Sequence, residues 1–153
     1  MKHEIEAQWM GRMQFNALVN GHTLVMDAPP RAGGEDQGPI PKPFVLTALS
    51  GCTGMDVIAL LRKQGKQLQS LNLKVDGQIS AQQPIEYTSA HIVYEMNGRQ
   101  EDEQTALEAV MYSQEKICGV SSMLKKIMPV TWQVLFNGKE IFTNKVVSAS
   151  EPD

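Results

Sequence analysis

Short stretches of alternating polar and hydrophobic residues occupy the first thirty positions, the pattern of strands with one buried face. We predict strands over residues 2–9, 13–19 and 22–29. The pairs Gly11-Arg12 and Asn20-Gly21 lie between them, and such pairs favour tight hairpin turns. The chain is therefore expected to begin with three antiparallel strands, followed by a Gly- and Pro-rich loop over residues 31–43.

The spacing of apolar residues then changes to the three- and four-residue steps of a helix, from Pro43 to Gln64. Apolar side chains occupy nearly every face of this helix, which indicates a position in the centre of the fold. A basic last turn followed by Gly65 is typical of a helix end.

The remaining pattern predicts two helices between strands. Alternation around residues 71–75 and 92–96 predicts two strands, and Val130 to Phe136 predicts a last one. Residues 102–118 form an amphipathic helix pattern that Gly119 would stop, and residues 120–126 suit a short third helix. The order β-β-β-α-β-β-α-α-β predicts an α+β fold, with a single domain over residues 1–142 and a frayed tail over residues 143–153.

Composition narrows the class of protein. The 153 residues are 42% hydrophobic, enough for the core of one compact domain. A net charge of -3 argues against nucleic acid as the main partner, because phosphate binding needs a basic face. No apolar run approaches the ~20 residues that span a bilayer, and the N-terminus lacks the apolar region of a signal peptide. We therefore expect a cytoplasmic protein without a membrane segment.

The two cysteines are the main candidates for chemistry. Cys52 lies in the middle of the first helix, and Cys118 closes the second. They are either small core residues, as free cysteines often are, or a pair that forms a transient catalytic disulfide in a reducing compartment.

Glycines beside the cysteines favour the second interpretation. Gly51 and Gly54 flank Cys52, although a glycine costs a helix interior about 1 kcal/mol relative to alanine. They could give a ligand access to the thiol, and helices crossing there could bring the two sulfurs within bonding range. Close helix packing alone is the competing explanation.

Other side chains give weaker signals. His3, His22 and His91 lie on different strands without a neighbouring ligand, so we expect no metal site. Arg12, at the tip of the first hairpin, is either a solvated turn residue or a cation that raises the thiolate fraction of a cysteine and binds a peroxide oxygen. Arg31, at the start of the long loop, is a second candidate for this role.

Two carboxylates lie close to the cysteines along the chain. Asp56 is one helical turn after Cys52, and Glu115 is three residues before Cys118. An unpaired carboxylate beside a thiol would disfavour the thiolate. We therefore expect these carboxylates to orient a cation, with Arg62 and Lys116 available, or to face solvent.

Three segments resemble the OsmC/Ohr family. PFVLTALSGCTGMDVIALLRKQG and SQEKICGVSSMLKKIMPV are similar to its two cysteine segments, and VMDAPPRAGGEDQGPIPKP resembles the loop before the first. The similarity covers nearly all of residues 8–136 and is closer to the OsmC-like branch than to the Ohr branch. It implies an α+β fold that exists as an intertwined homodimer, with two sites at the subunit interface.

The resemblance also implies an activity. The better-known members are thiol-dependent peroxidases that reduce organic hydroperoxides and use no metal or organic cofactor. On this resemblance Cys52 attacks the peroxide and becomes a sulfenic acid, Cys118 resolves it as a disulfide, and Arg12 assists. We expect Gly51 and Met55 to contact the substrate. An external thiol, in some relatives a lipoylated protein, would then reduce the disulfide.

One departure from the family pattern keeps alternatives open. Active members often carry a glutamate, shortly before the first cysteine, that pairs with the arginine, whereas this chain has Pro41-Lys42-Pro43 there. Glu35 or Asp36 could take its place. The alternatives to a peroxidase are a non-catalytic dimer that binds an apolar ligand or senses redox state, and a structural module with inert cysteines.

Overall fold

The computed structural model describes residues 1–146, so residues 147–153, most of the predicted tail, lie outside the described residues. The chain divides into two compact units, Met1–Val45 and Leu46–Asp153. The assignment of residues 1–142 to a single domain stays a prediction.

The first unit contains the predicted three-stranded antiparallel sheet. Its strands are β1 (Glu6–Gly11), β2 (Gln14–Val19) and β3 (His22–Met26), in that order across the sheet. The second hairpin turn lies at Asn20-Gly21 as predicted, whereas the first lies at Arg12 and Met13, because β1 begins later than predicted and extends through Gly11. Arg12 and Asn20 adopt the left-handed φ values of 48° and 50° that tight turns require. β3 ends three residues early, before a 3-10 turn over Pro30–Ala32.

The carboxylate of Asp27 organises the long loop that follows. It accepts backbone N–H groups from Ala28 at 2.8 Å and from Glu35 and Gln37 at 3.1 Å. The hydrogen bonds from Gln37 and Ala28 are the main reason that the pKa of Asp27 is lowered. Gly34 packs so closely that a Cβ there would lie 1.9 Å from the carbonyl oxygen of Ala28. The loop is therefore an ordered structure with its own hydrogen-bonding centre.

The second unit combines helices with a four-stranded mixed sheet. The elements are α1 (Phe44–Lys63), β4 (Ser70–Ile79), β5 (Tyr87–Asn97), α2 (Glu103–Tyr112), α3 (Gly119–Leu124), β6 (Val130–Phe136) and β7 (Lys139–Thr143). Strand order is β4-β5-β6-β7, and β5 and β6 are parallel whereas the other pairs are antiparallel. The parallel pair requires a long crossover, which the helices between β5 and β6 supply. The predicted α+β class is confirmed.

Two details differ from the sequence prediction. The predicted order lacks β7, which pairs with β6 through a tight turn at Asn137-Gly138, a pair that strongly favours hairpins. α2 ends at Tyr112 and continues as a π-helical turn over Ser113–Ile117. Gly119 therefore opens α3 and does not stop the second helix.

α1 is buried along one side only. Leu49, Val57 and Leu61 enter the core with residues of the sheet, whereas Met55 is 75% exposed. The helix has 20 residues and is apolar enough, by length and composition, to cross a bilayer, so the expectation that no run approaches that length is wrong. The apolar residues on the buried side of α1 pack against the buried residues of the sheet.

Candidate functional site

The second unit brings the two cysteines together although 66 positions separate them in the sequence. The sulfurs of Cys52 and Cys118 and a carboxylate oxygen of Asp56 all lie within 4.8 Å of one another. Both cysteines are free thiols, Cys118 buried and Cys52 half-buried. Because a disulfide bond measures about 2 Å, the sulfurs need to approach by no more than about 3 Å to bond.

The π-helical turn determines how Cys118 reaches this position. The N–H of Cys118 donates to the carbonyl of Ser113, five residues back, and Cys118 itself adopts an extended conformation at the start of α3. The prediction that Cys118 closes the second helix is therefore wrong, because Cys118 precedes α3 after the π-helical turn. Its sulfur caps α3 by accepting the N–H of Ser121 at 3.4 Å.

The two glycines around Cys52 serve different purposes. A Cβ on Gly54 would lie 3.2 Å from a methyl group of Leu73, so Gly54 allows α1 to approach β4 closely. A Cβ on Gly51 would have no neighbour within 4 Å. Packing thus explains Gly54, whereas Gly51 leaves space beside the cysteine.

A groove of about 830 Å³ runs along α1 and β4, and it is lined by Gly51 and Gly54 but by neither cysteine. Its lining is mostly apolar and includes both residues expected to contact a substrate, Gly51 and Met55. Ile58, Leu71 and Leu73 form other parts of its wall.

The surroundings of Cys118 keep it protonated at neutral pH. Burial is the main cause that raises the pKa of the Cys118 thiol to about 11, and the neighbouring Cys52 and Asp56 raise it further. The hydrogen bond from the Ser121 N–H acts in the opposite direction.

Behind the cysteines lies a buried polar network, formed by Thr53, Tyr94, Ser113, Gln114 and Ser121. The Thr53 hydroxyl lies 2.6 Å from the Tyr94 hydroxyl and 2.8 Å from that of Ser113. The Gln114 amide donates to Thr53 and Tyr94, and Ser121 donates to the amide oxygen of Gln114 at 2.6 Å. Burial raises the pKa of Tyr94 to about 12, so its hydroxyl stays protonated.

Sequence reasoning missed this network. Its members come from α1, β5 and the segment after α2, and only the chain fold brings them together. A signal was present, because Thr53 interrupts the apolar pattern of the first helix directly after Cys52, and Ser113 and Gln114 precede Cys118.

Asp56 is half-buried, and its hydrogen bond is made with a hydroxyl and not with Arg62 or Lys116, the cations that we expected to be available. Its Oδ2 accepts a hydrogen bond of 2.9 Å from the Ser113 hydroxyl, so the buried polar network ends on this carboxylate. None of the ion pairs found among residues 1–146 includes Asp56.

Arg12 lies in the first unit, where it pairs with Glu35. The guanidinium Nη1 is 2.6 Å from Glu35 Oε1, and both side chains are more than half exposed. Arg31 lies exposed in the 3-10 turn, and Asp36 follows Glu35 with a left-handed φ of 58°. Of the two carboxylates expected to replace the family's glutamate, Glu35 is thus the one that contacts Arg12.

The histidines stay apart from this site. His91 bonds the Thr131 hydroxyl at 2.8 Å on the sheet, and no histidine in residues 1–146 joins a group of three side chains that could ligate a metal. The expected lack of a metal site stays a prediction.

Comparisons with known proteins agree with the fold and include both cysteines. A family model described as OsmC-like protein matches residues 34–133.

Protein YhfA of Escherichia coli K12 is 26% identical over 129 residues, which cover 84% of this chain and 93% of YhfA. A hypothetical protein from Aquifex aeolicus VF5 has a similar solved structure, with a TM-score of 0.74, 24% identity and coverage of 90% of this chain and 98% of that one. An organic hydroperoxide resistance protein OsmC from Legionella pneumophila has a TM-score of 0.63 at 15% identity, over 88% and 96% of the two chains. Because the family match spans well over half of the sequence, this chain belongs to the OsmC-like protein family.

Proposed function

We propose that this protein is a thiol-dependent peroxidase that reduces organic hydroperoxides in oxidative-stress defence. The observation that carries the proposal is the approach of the Cys52 and Cys118 sulfurs to within 4.8 Å, in a chain of the OsmC-like family. The solved relative from Legionella pneumophila, named an organic hydroperoxide resistance protein, supports the substrate class.

In this proposal Cys52 is the attacking residue and Cys118 the resolving one. The Cys52 thiolate attacks the outer peroxide oxygen, the O–O bond breaks, and the alkoxide takes a proton to leave as the alcohol. Cys52 is then a sulfenic acid, which condenses with the Cys118 thiol to a disulfide and one water. The greater exposure of Cys52 supports this order, since only a solvent-accessible thiol meets the substrate.

The groove beside α1 supports an organic substrate over hydrogen peroxide. Met55 and Gly51 line it together with aliphatic side chains, which suit the alkyl part of a hydroperoxide. An external thiol, such as a lipoylated protein, would restore the dithiol.

Arg12 is proposed as the cation that assists Cys52. The support is its ion pair with Glu35, which supplies the carboxylate that Pro41-Lys42-Pro43 lacks. A homodimer is part of the same proposal, because α1 leaves large apolar side chains such as Met55 exposed.

A non-catalytic dimer that binds an apolar ligand or senses redox state is the second candidate. The observation that favours it is Asp56, whose carboxylate lies beside both sulfurs and is one cause of the raised pKa of Cys118. Such a protein would be oxidised once by peroxide and would not turn over.

Steady-state assays separate the two candidates. Cumene hydroperoxide and hydrogen peroxide are each supplied with a dithiol reductant, and peroxide consumption is followed for the wild type and Cys52→Ser. A peroxidase consumes many equivalents of cumene hydroperoxide per chain and prefers it to hydrogen peroxide. Consumption by the wild type no faster than by Cys52→Ser would leave the non-catalytic dimer.

A further inference from the structure

The position of Asp56 is unexpected for a site that needs thiolates. Its carboxylate oxygen lies within 4.8 Å of both sulfurs, and its negative charge is one cause of the high pKa of Cys118. A carboxylate with a purely structural role could be placed elsewhere at less cost to the chemistry. The hydrogen bonds that hold Asp56 indicate what it does.

The directions of these hydrogen bonds follow from counting protons. The Ser113 hydroxyl donates its single proton to Asp56 Oδ2 at 2.9 Å. Ser113 therefore accepts from Thr53 in their 2.8 Å contact, and Thr53 in turn accepts from the hydroxyl of Tyr94 at 2.6 Å. In the series Tyr94, Thr53, Ser113, each hydroxyl thus donates its hydrogen bond to the next, and Ser113 donates to Asp56.

Two further features keep this direction fixed. The amide of Gln114 donates to both Thr53 and Tyr94, and its oxygen is occupied by Ser121, so Gln114 cannot be reversed without breaking these bonds. All members of the network are buried, where an unmade hydrogen bond is costly. The network therefore binds one oxygen of the Asp56 carboxylate through Ser113, and no member of the network bonds its other oxygen.

We propose that Asp56 is the proton acceptor for the Cys118 thiol at the moment when Cys118 attacks the oxidised Cys52. This inference rests on the proposed function, because it concerns the resolving step of the same site. It assigns to Asp56 a proton transfer from a sulfur that lies within 4.8 Å of its carboxylate oxygen.

The step balances as follows. The Cys118 S–H bond breaks as its sulfur forms a bond to the Cys52 sulfur, and the Cys52 S–O bond breaks with both electrons leaving on hydroxide. The proton passes to Asp56 and from there to the departing hydroxide, which leaves as water. A carboxylate is a much weaker base than hydroxide, so Asp56 transfers the proton and is regenerated as the anion.

A purely electrostatic role for Asp56 would have the opposite effect. If Asp56 only repels the Cys118 thiolate, its neutralisation would make that thiolate more abundant and the attack faster. If Asp56 accepts the proton, its neutralisation makes the attack slower. The sign of the change therefore distinguishes the two roles.

Other charged and titratable groups lie on the elements around Cys118. Cys52 comes from α1, Tyr94 from β5, and Lys125 follows α3, where its ammonium donates to the carbonyl of Gln114 at 2.5 Å. Glu115 lies exposed on the π-helical turn. Among these groups Asp56 alone is a carboxylate beside both sulfurs.

The test uses 4,4′-dithiodipyridine, which measures the attack by Cys118 without any peroxide. Cys52 reacts first and releases one thiopyridone, and Cys118 then displaces a second thiopyridone from Cys52. We expect Asp56→Asn to keep the first phase and to slow the second at least tenfold at neutral pH, within the range known for general bases. The second phase of the variant should rise with pH and approach the wild-type rate as Cys118 ionises by itself, at a pH below its wild-type pKa of about 11 because the variant lacks the charge of Asp56.

Matched variants complete the experiment. Glu115→Gln removes an exposed carboxylate from the same region and should leave both phases unchanged. Ser113→Ala keeps Asp56 but removes its hydrogen bond from Ser113. This variant should slow the second phase less than Asp56→Asn does. Asp56→Glu should recover part of the rate, which also shows that the fold tolerates changes here. An unchanged or faster second phase in Asp56→Asn would overturn the inference. If both thiopyridone phases behave as expected but no peroxide is consumed, the peroxidase proposal fails and the role of Asp56 in thiol–disulfide exchange stands.

Discussion

The guanidinium of Arg12 lies 2.6 Å from the carboxylate of Glu35, 23 residues further along the chain. The hairpin turn presents Arg12, and the loop organised by Asp27 presents Glu35, because the backbone N–H of Glu35 is itself bound to Asp27. This ion pair is the proposed counterpart of the family's arginine–glutamate pair, with a carboxylate from an earlier part of the loop.

This ion pair leads to the first prediction. If Glu35 orients Arg12 for catalysis, Glu35→Gln should slow cumene hydroperoxide reduction about as much as Arg12→Ala does. Both side chains are exposed, so the loss of stability should be at most about 1 kcal/mol. Rates of peroxide consumption and urea unfolding measure the two effects. Asp36→Asn is the control, and an equal loss of rate in that variant would contradict a specific role for Glu35.

Replacing Cys52 and replacing Cys118 should give different oxidation products. After one equivalent of organic hydroperoxide, intact-mass spectrometry should show a loss of two hydrogens in the wild type, the mark of a disulfide. Cys118→Ser should gain one oxygen, because its sulfenic acid has no internal partner, and excess peroxide should oxidise it further. Cys52→Ser should remain unchanged. Oxygen gained by Cys52→Ser and not by Cys118→Ser would reverse the assigned roles.

The buried thiol of Cys118 should make the protein less stable at alkaline pH. Its pKa is raised from 9.0 to about 11, so the folded state holds this proton more tightly than the unfolded chain does. The resulting stabilisation is complete below pH 9 and is lost as the pH rises through 11, by at most about 3 kcal/mol. Urea unfolding of the wild type and of Cys118→Ser across this range isolates the effect. Parallel pH profiles for the two proteins would show that Cys118 does not contribute.

Gly51 and Gly54 offer a matched pair for a stability measurement. Alanine at Gly51 meets open space and should stabilise α1 by up to about 1 kcal/mol. Alanine at Gly54 meets Leu73 at 3.2 Å, so its gain in helix propensity should be offset by crowding. Urea unfolding should therefore rank Gly51→Ala above Gly54→Ala. The reverse order would mean that Gly51 is covered in solution, as it would be in a tight dimer interface.

The homodimer itself can be tested by sedimentation. We expect a dimer at micromolar concentration, because exposed apolar side chains on α1 need a covering surface. A folded monomer at that concentration would contradict the prediction.

Much of the fold follows from local patterns. Alternation and turn pairs predict the first three strands, and helical spacing predicts α1 to within a residue at each end. The prediction of the second helix fails after Tyr112. Helical periodicity continues past Tyr112, but the backbone widens into a π-helical turn that the pattern does not reveal.

The candidate site was predictable only in part. Cys52 and Cys118 carry a recognisable family pattern, but the direction of the Asp56 side chain depends on Ser113, which lies 57 residues away. Likewise, two adjacent carboxylates in the loop are equivalent in the sequence, and the backbone hydrogen bonds to Asp27 decide that Glu35 contacts Arg12. Contacts between distant residues of this kind require the fold.

The sulfur of Cys118 also caps α3, and this double role makes the backbone a reporter of the oxidation state. A thiol that accepts the N–H of Ser121 satisfies one of the free donors at the beginning of the helix. When the same sulfur forms the proposed disulfide with Cys52, we expect it to give up part of that contact. The amide resonance and hydrogen exchange of Ser121 should therefore differ between the reduced and oxidised protein, which allows NMR to follow the redox state without a label on either cysteine.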